Sequence, residues 1–233
     1  MANYEEIAGM IDHSLLKPFL TDKELEEGCR LADKYQVASV CVRPSDVKQA
    51  MAILQFSPVR VTTVIGFPHG STTTQVKLAE SEEAMGNGAV ELDLVLHIGK
   101  LKSGDYEYVK NDLSSVIDLA HNNDVKVKVI FENCYLTEKE IIRACEICNE
   151  LDADWVKTST GYGTDGAKVK DVKLMRAYAK PAIQIKAAGG IRTLKQLLEM
   201  KQLGCTRIGA TATETILEEF KNREIGLKQK KGR

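Results

Sequence analysis

Short β-rich runs alternate with amphipathic segments along the whole chain. Runs at 11–15, 39–42, 61–65, 91–96, 126–132, 155–159, 183–187 and 207–210 are short, apolar-rich and read as strands. Between them, Val109, Leu113, Val116, Ile117 and Ala120 recur with the 3.6-residue period of a helix. Leu194, Leu197 and Leu198 do the same in a segment that stops near Gly204. Eight strands with intervening helices predict an α/β fold, a single-domain (β/α)8 TIM barrel. A doubly wound open sheet would want a Gly-rich loop after its first strand, and none is there. No linker or low-complexity stretch divides the chain, so residues 1–233 read as one domain with a short basic tail from about 221.

The strands carry a second pattern. Strands buried on both faces usually read as continuous apolar runs, whereas several here alternate. Glu91 and Asp93 share a face opposite Leu92 and Leu94; Lys128, Ile130 and Glu132 oppose Val127, Val129 and Phe131. Lys186 opposes Ile183 and Ile185, and Asp12 and Ser14 oppose Ile11, His13 and Leu15. Side chains alternate faces along a strand, so the apolar set covers the helices and the polar set points into the barrel. Buried charges are costly unless paired. Lys128 and Arg207 are therefore expected within salt-bridge reach of Glu91, Asp93 or Glu132.

Composition narrows the function classes. The chain has 233 residues, 43% of them hydrophobic, and a net charge of −1. That leaves no global field to attract nucleic acid or an anionic membrane. No apolar run reaches the ~18 residues of a membrane span, and residues 1–10 lack a basic segment followed by an apolar one. A cytoplasmic address is expected. Cys145 and Cys148 form a C-x-x-C, but no second pair or nearby histidine completes a metal set. Together with Ile141 and Leu151 they fall on one helical stripe and read as buried thiols.

The chemistry gathers at strand ends. Lys157 and Lys186 end neighbouring strands and should both point inward, with Asp93 on a third. A lysine amine attacks only when neutral, and a second cation or a dry pocket lowers its pKa. Two lysines and a carboxylate can then supply nucleophile, pKa depressor and proton shuttle for chemistry at a carbonyl. The competing reading is an ion-pair network that merely fills the barrel. Gly-rich turns follow both lysines and the last strand; such turns form anion sites through their N–H groups, often after the last two barrel strands.

Lys157-Thr158-Ser159-Thr160-Gly161 and Lys186-Ala187-Ala188-Gly189-Gly190-Ile191-Arg192 resemble the signature segments of the deoxyribose-phosphate aldolase family. The resemblance extends through Ile11-Asp12-His13-Ser14-Leu15-Leu16-Lys17-Pro18, Val40-Cys41-Val42, Thr63-Val64-Ile65-Gly66-Phe67-Pro68, Glu91-Leu92-Asp93-Leu94-Val95 and Lys128-Val129-Ile130-Phe131-Glu132, roughly residues 8 to 217. It implies a class I, Schiff-base lyase that reversibly cleaves 2-deoxy-D-ribose 5-phosphate to acetaldehyde and D-glyceraldehyde 3-phosphate, with no metal and no organic cofactor. It places the imine on Lys157, the second lysine on Lys186 and the proton relay on Asp93. Substrate binding falls to Asp12, Ser14, Gly161, Gly189, Gly190, Ile191, Arg192, Gly209 and Thr211. The partner implied is a small phosphorylated sugar; a homodimer or higher homo-oligomer is left open.

Departures from the family pattern are Ser14 for threonine, Arg43 and His97 for asparagine, and Asn133 for threonine; the segment after Phe220 has no tyrosine. Arg43 and His97 keep open a sister aldolase acting on another phosphorylated aldol. A catalytically silent sugar-phosphate-binding barrel is the third reading. His13, His69 and His121 read as structural, with His69 near the barrel mouth; His97 follows an active-site strand and is a candidate contact.

Overall fold

The computed structural model describes the backbone of residues 3–231 and the side chains of residues 3–225. Eight parallel strands close into a barrel in sequence order: β1 (Ile11–Leu15), β2 (Ser39–Val42), β3 (Arg60–Ile65), β4 (Glu91–Val95), β5 (Lys126–Ile130), β6 (Trp155–Lys157), β7 (Gln184–Ala188) and β8 (Cys205–Ala210). The eight-stranded barrel agrees with the reading from the sequence. β5 and β6 are each two residues shorter than read, because the chain turns away at Phe131 and Thr158.

The outward strand residues Ile11, Val40, Leu92, Leu94, Val127, Val129, Val156, Ile185 and Ile208 join one apolar core with the helices. Helix Tyr106–His121 contributes Val109, Leu113, Val116, Ile117 and Ala120, and helix Leu194–Gln202 contributes Leu194 and Leu197. Helix Glu138–Glu150 carries Cys145 and Cys148, both buried, and burial pushes the Cys145 thiol up to about 12. Among the described residues no cluster of metal-ligating side chains occurs, and no helix is long and apolar enough to cross a membrane. Thr193 opens helix Leu194–Gln202 with a reciprocal cap to Gln196, which fixes the turn just after β7. The last helix runs Thr213–Lys231, so the stretch read as a tail from about 221 continues a helix.

Barrel interiors are usually filled by layers of branched apolar residues. Here Asp12, Glu91, Asp93, Lys128, Lys186 and Arg207 occupy it instead, all nearly or wholly buried. Register sets their neighbours: Asp93 stands beside Lys128, Lys157 beside Lys186, and Lys186 beside Arg207.

Candidate active site

The interior charges form a closed set of pairs. Lys128 Nζ lies 2.5 Å from Glu91 and 2.9 Å from Asp93 Oδ1. Arg207 donates to Asp12 at 2.6 Å and to Glu91 at 3.0 Å. Ser39 donates to Asp12 at 2.6 Å. Lys128 and Arg207 therefore pair with the carboxylates the sequence reading named, except Glu132. That residue follows β5 in a left-handed conformation, φ 57°, and turns to the loop after β6.

Lys157 has one carboxylate partner, Asp93 Oδ2 at 2.6 Å. Lys186 has two, Asp12 Oδ2 at 2.5 Å and Asp93 Oδ2 at 2.7 Å. This difference separates two lysines of similar burial. Burial lowers the pKa of Lys157; Asp93 opposes that, Lys186 assists it, and the net shift is downward. Burial would lower Lys186 too, but Asp12 and Asp93 together override it and hold it firmly as an ammonium. Burial works against ionised Asp93, yet Lys128, Lys157 and Lys186 hold its carboxyl well below the usual range. Dryness thus does more to lower Lys157 than its neighbouring cation does.

A cavity of about 360 Å³ opens at the C-terminal ends of the strands. Lys157 and Lys186 form part of its wall, with Asp12 and Ser14 from β1. Gly161 enters from the loop after β6; Gly189, Gly190, Ile191 and Arg192 come from the turn after β7; Gly209 and Thr211 come from β8 and its end. Every substrate-binding residue expected from the sequence thus lies on one cavity. Asp93 does not line it. It sits behind the two lysines, bonded to both through Oδ2. Gly161, Gly189 and Gly190 have φ of 87°, 83° and 81°, values at which a side chain is strained. The N–H groups of Gly190 and Ile191 have no protein acceptor among the described residues, leaving them for an anion.

The β6 and β7 loops touch backbone to backbone. A Cβ on Gly166 would stand 2.2 Å from the Gly189 carbonyl oxygen, and Ala167 N–H donates to Gly189 O at 3.1 Å. Several wall residues were not singled out from the sequence: Lys17, Phe19, Cys41, Thr160 and Tyr162. Tyr162 donates its hydroxyl to Leu16 O at 2.7 Å across the mouth, and its ring stands edge-on to Phe67. His97 instead caps helix Ile98–Lys102, accepting from Lys100 N–H at 3.2 Å, and lies off the cavity. Arg43 pairs with Asp46 at 2.6 Å. His69 is exposed, His121 meets Asp154 at 2.9 Å on the surface, and Asn133 donates to Met175 Sδ at 3.2 Å. None of these lines the cavity.

Residues 7–218 match the model of the DeoC/LacD family aldolases. The chain is 49% identical over 224 residues to a deoxyribose-phosphate aldolase of Rhodopirellula baltica, covering 96% of this chain and 92% of that one. It is 50% identical over 218 residues to that of Thermococcus kodakarensis, covering 93% and 97%. The tetrameric deoxyribose phosphate aldolase structure from Aeropyrum pernix superposes with a TM-score of 0.88 at 31% identity, covering 95% of this chain and 93% of that one.

Proposed function

The chain belongs to the DeoC/LacD family of aldolases, and on that footing we propose that it reversibly cleaves 2-deoxy-D-ribose 5-phosphate to acetaldehyde and D-glyceraldehyde 3-phosphate. The observation that carries this reading is the pair of lysines on Asp93 Oδ2, one shifted toward neutrality and one fixed as a cation, beneath a turn of free N–H groups.

Neutral Lys157 attacks the aldehyde carbon, C1, of the open-chain sugar, and the carbinolamine loses water to give an iminium. Removal of the C3 hydroxyl proton breaks C2–C3. The bonding pair moves toward the iminium, and glyceraldehyde 3-phosphate leaves. The enamine takes a proton at C2, and hydrolysis frees acetaldehyde and Lys157. The Gly161, Gly189 and Gly190 turns, with Ile191, Arg192, Gly209 and Thr211, hold the phosphate. Asp12 and Ser14 face the sugar.

Asp93 is a poor base at rest, because three ammonium groups surround it. When C2–C3 cleavage turns the charged iminium on Lys157 into the neutral enamine, one of those charges is lost and the carboxylate becomes more basic. That is the stage at which a proton must move. We assign it the relay, working through Lys186 or a water.

Self-association accords with the tetramer named for the Aeropyrum pernix enzyme. All six cysteines are unpaired thiols, which suits a reducing cytoplasmic setting. The test is direct: purified protein with deoxyribose 5-phosphate should release acetaldehyde, and no release above a Lys157→Leu control would overturn the reading.

A further inference from the structure

Glu132 is a buried carboxylate that the cleavage chemistry does not use. It is 2% exposed and does not line the cavity. Its backbone is left-handed, φ 57°, a conformation disfavoured for a non-glycine residue. Backbone bonds on both sides hold it there: Phe131 N–H donates to Lys157 O at 3.0 Å, and Asn133 N–H to Thr158 O at 2.9 Å. The bend aims the carboxylate at the loop after β6. Oε1 accepts from Thr160 N–H at 3.1 Å, and Oε2 accepts from the Thr160 hydroxyl. That hydroxyl in turn accepts from Tyr162 N–H at 3.0 Å, and the Tyr162 hydroxyl donates to Leu16 O at 2.7 Å.

The chain of bonds encloses Gly161, whose own Cβ direction is open space. Further along the same loop, Gly166 meets Gly189 of the neighbouring turn. A Cβ on Gly163 would lie 3.0 Å from Glu132 Cδ, so the loop is laid close against the carboxylate.

We propose that Glu132 is a positioning residue for phosphate recognition: through Thr160 it holds the β6 loop so that Gly161 and the adjoining Gly189 turn present their N–H groups to a phosphate. The inference rests on the anion cradle of the proposed function but not on cleavage itself. Burial pushes the Glu132 carboxyl up while the Thr160 bonds pull it back, as befits a group whose partners are the loop.

The experiment compares wild type, Glu132→Ala, Glu132→Gln and Thr160→Val as whole chains. One readout is the affinity for inorganic phosphate by titration calorimetry; the other is kcat and KM on deoxyribose 5-phosphate and on unphosphorylated deoxyribose. Loss of a charge-assisted hydrogen bond predicts phosphate affinity weaker by about tenfold to a hundredfold in Glu132→Ala. KM for the phosphate ester should rise in parallel while kcat moves by less than about threefold. Glutamine keeps an acceptor for Thr160 N–H and should restore most of the affinity. Valine keeps the shape of Thr160 without its hydroxyl, should weaken phosphate binding in the same sense, and decides the matter if Glu132→Ala does not fold. Undiminished phosphate affinity in the variants, or equal losses on both sugars, overturns the proposal. So does a wild type that does not bind phosphate. A wild type that binds phosphate and cleaves nothing would remove the proposed function and leave this inference to the calorimetry.

Discussion

Lys157 and Lys186 donate to the same oxygen, Oδ2 of Asp93, at 2.6 and 2.7 Å, from directly paired positions on β6 and β7. What divides them is Asp12, which reaches Lys186 alone at 2.5 Å. One shared carboxylate with one unshared carboxylate separates the two: burial shifts the Lys157 amine toward neutrality, while Lys186 is held as a cation.

Lys157 should be the residue that carries the imine. Incubation with acetaldehyde and borohydride, followed by peptide mass mapping, should place the adduct there, and Lys157→Leu should abolish both trapping and turnover. An adduct on Lys186 would reverse the two roles.

The two neighbours of Lys157 should move its titration in opposite directions. Lys186 lowers its pKa and Asp93 raises it. Lys186→Leu should therefore shift the rising limb of kcat/KM to higher pH, and Asp93→Asn should shift it lower. The second change should also slow turnover by about 10²–10⁴-fold if Asp93 relays protons. A Lys186→Leu variant with wild-type rate and an unmoved profile would make Lys186 merely structural.

Gly166→Ala should loosen phosphate binding by displacing the Gly189 turn, although Gly166 itself does not line the cavity. Its Cβ would stand 2.2 Å from Gly189 O and 2.4 Å from the Gly189 carbonyl carbon. Both are backbone atoms, so no side chain can swing away, and the two loops must separate. KM for deoxyribose 5-phosphate should rise by about tenfold or more, with kcat changed less. An unchanged KM would mean the loops part freely.

His13 should govern part of the acid sensitivity of the fold. Burial pushes its pKa down to about 4, and its Nδ1 lies 2.8 Å from the Thr213 hydroxyl. The unfolded chain takes up a proton near pH 6.5 while the folded chain resists it. Stability is therefore fully present above about 6.5 and is lost as pH falls toward about 4, by up to about 3 kcal/mol. Urea midpoints at pH 7 and 4.5 should differ less in His13→Gln than in wild type. Asp12 and Asp93, whose carboxyls are held below their ordinary range, act at more acid pH.

The barrel was legible in the sequence because its interior is charged. In an apolar-filled barrel both strand faces look alike, but here Glu91 and Asp93 against Leu92 and Leu94 declare which face is which. The lysine motifs likewise marked the cavity, since each lysine and the Gly turn after it lie close together in sequence. What could not be read was contact between distant segments. The hydroxyl of Tyr162 meets a carbonyl 146 residues away, and no local pattern encodes that. Glu132 has a left-handed backbone without the glycine or asparagine that would advertise it. Lys77 is fully buried against Asp112 at 2.5 Å in a helix, Thr74–Gly86, whose residues show no clear apolar stripe. Asp93 was assigned to the right strand face, yet its depth beneath the lysines follows from barrel closure.

The charged floor also bears on how the chain is made. Asp12 leaves the ribosome 174 residues before Lys186 and 195 before Arg207, the cations that neutralise it. A nascent chain ending before β7 holds Asp12, Glu91 and Asp93 but lacks two of the four interior cations that bind them, Arg60 reaching Glu91 from the half-exposed rim. Closing a dry interior over that excess of carboxylates would cost several kcal/mol per unpaired charge. Branched apolar residues would set no such condition, since a partial barrel could collapse on them at once. Here Asp12 meets its two nearest cations only with β7 and β8, which makes dry closure wait for a finished chain.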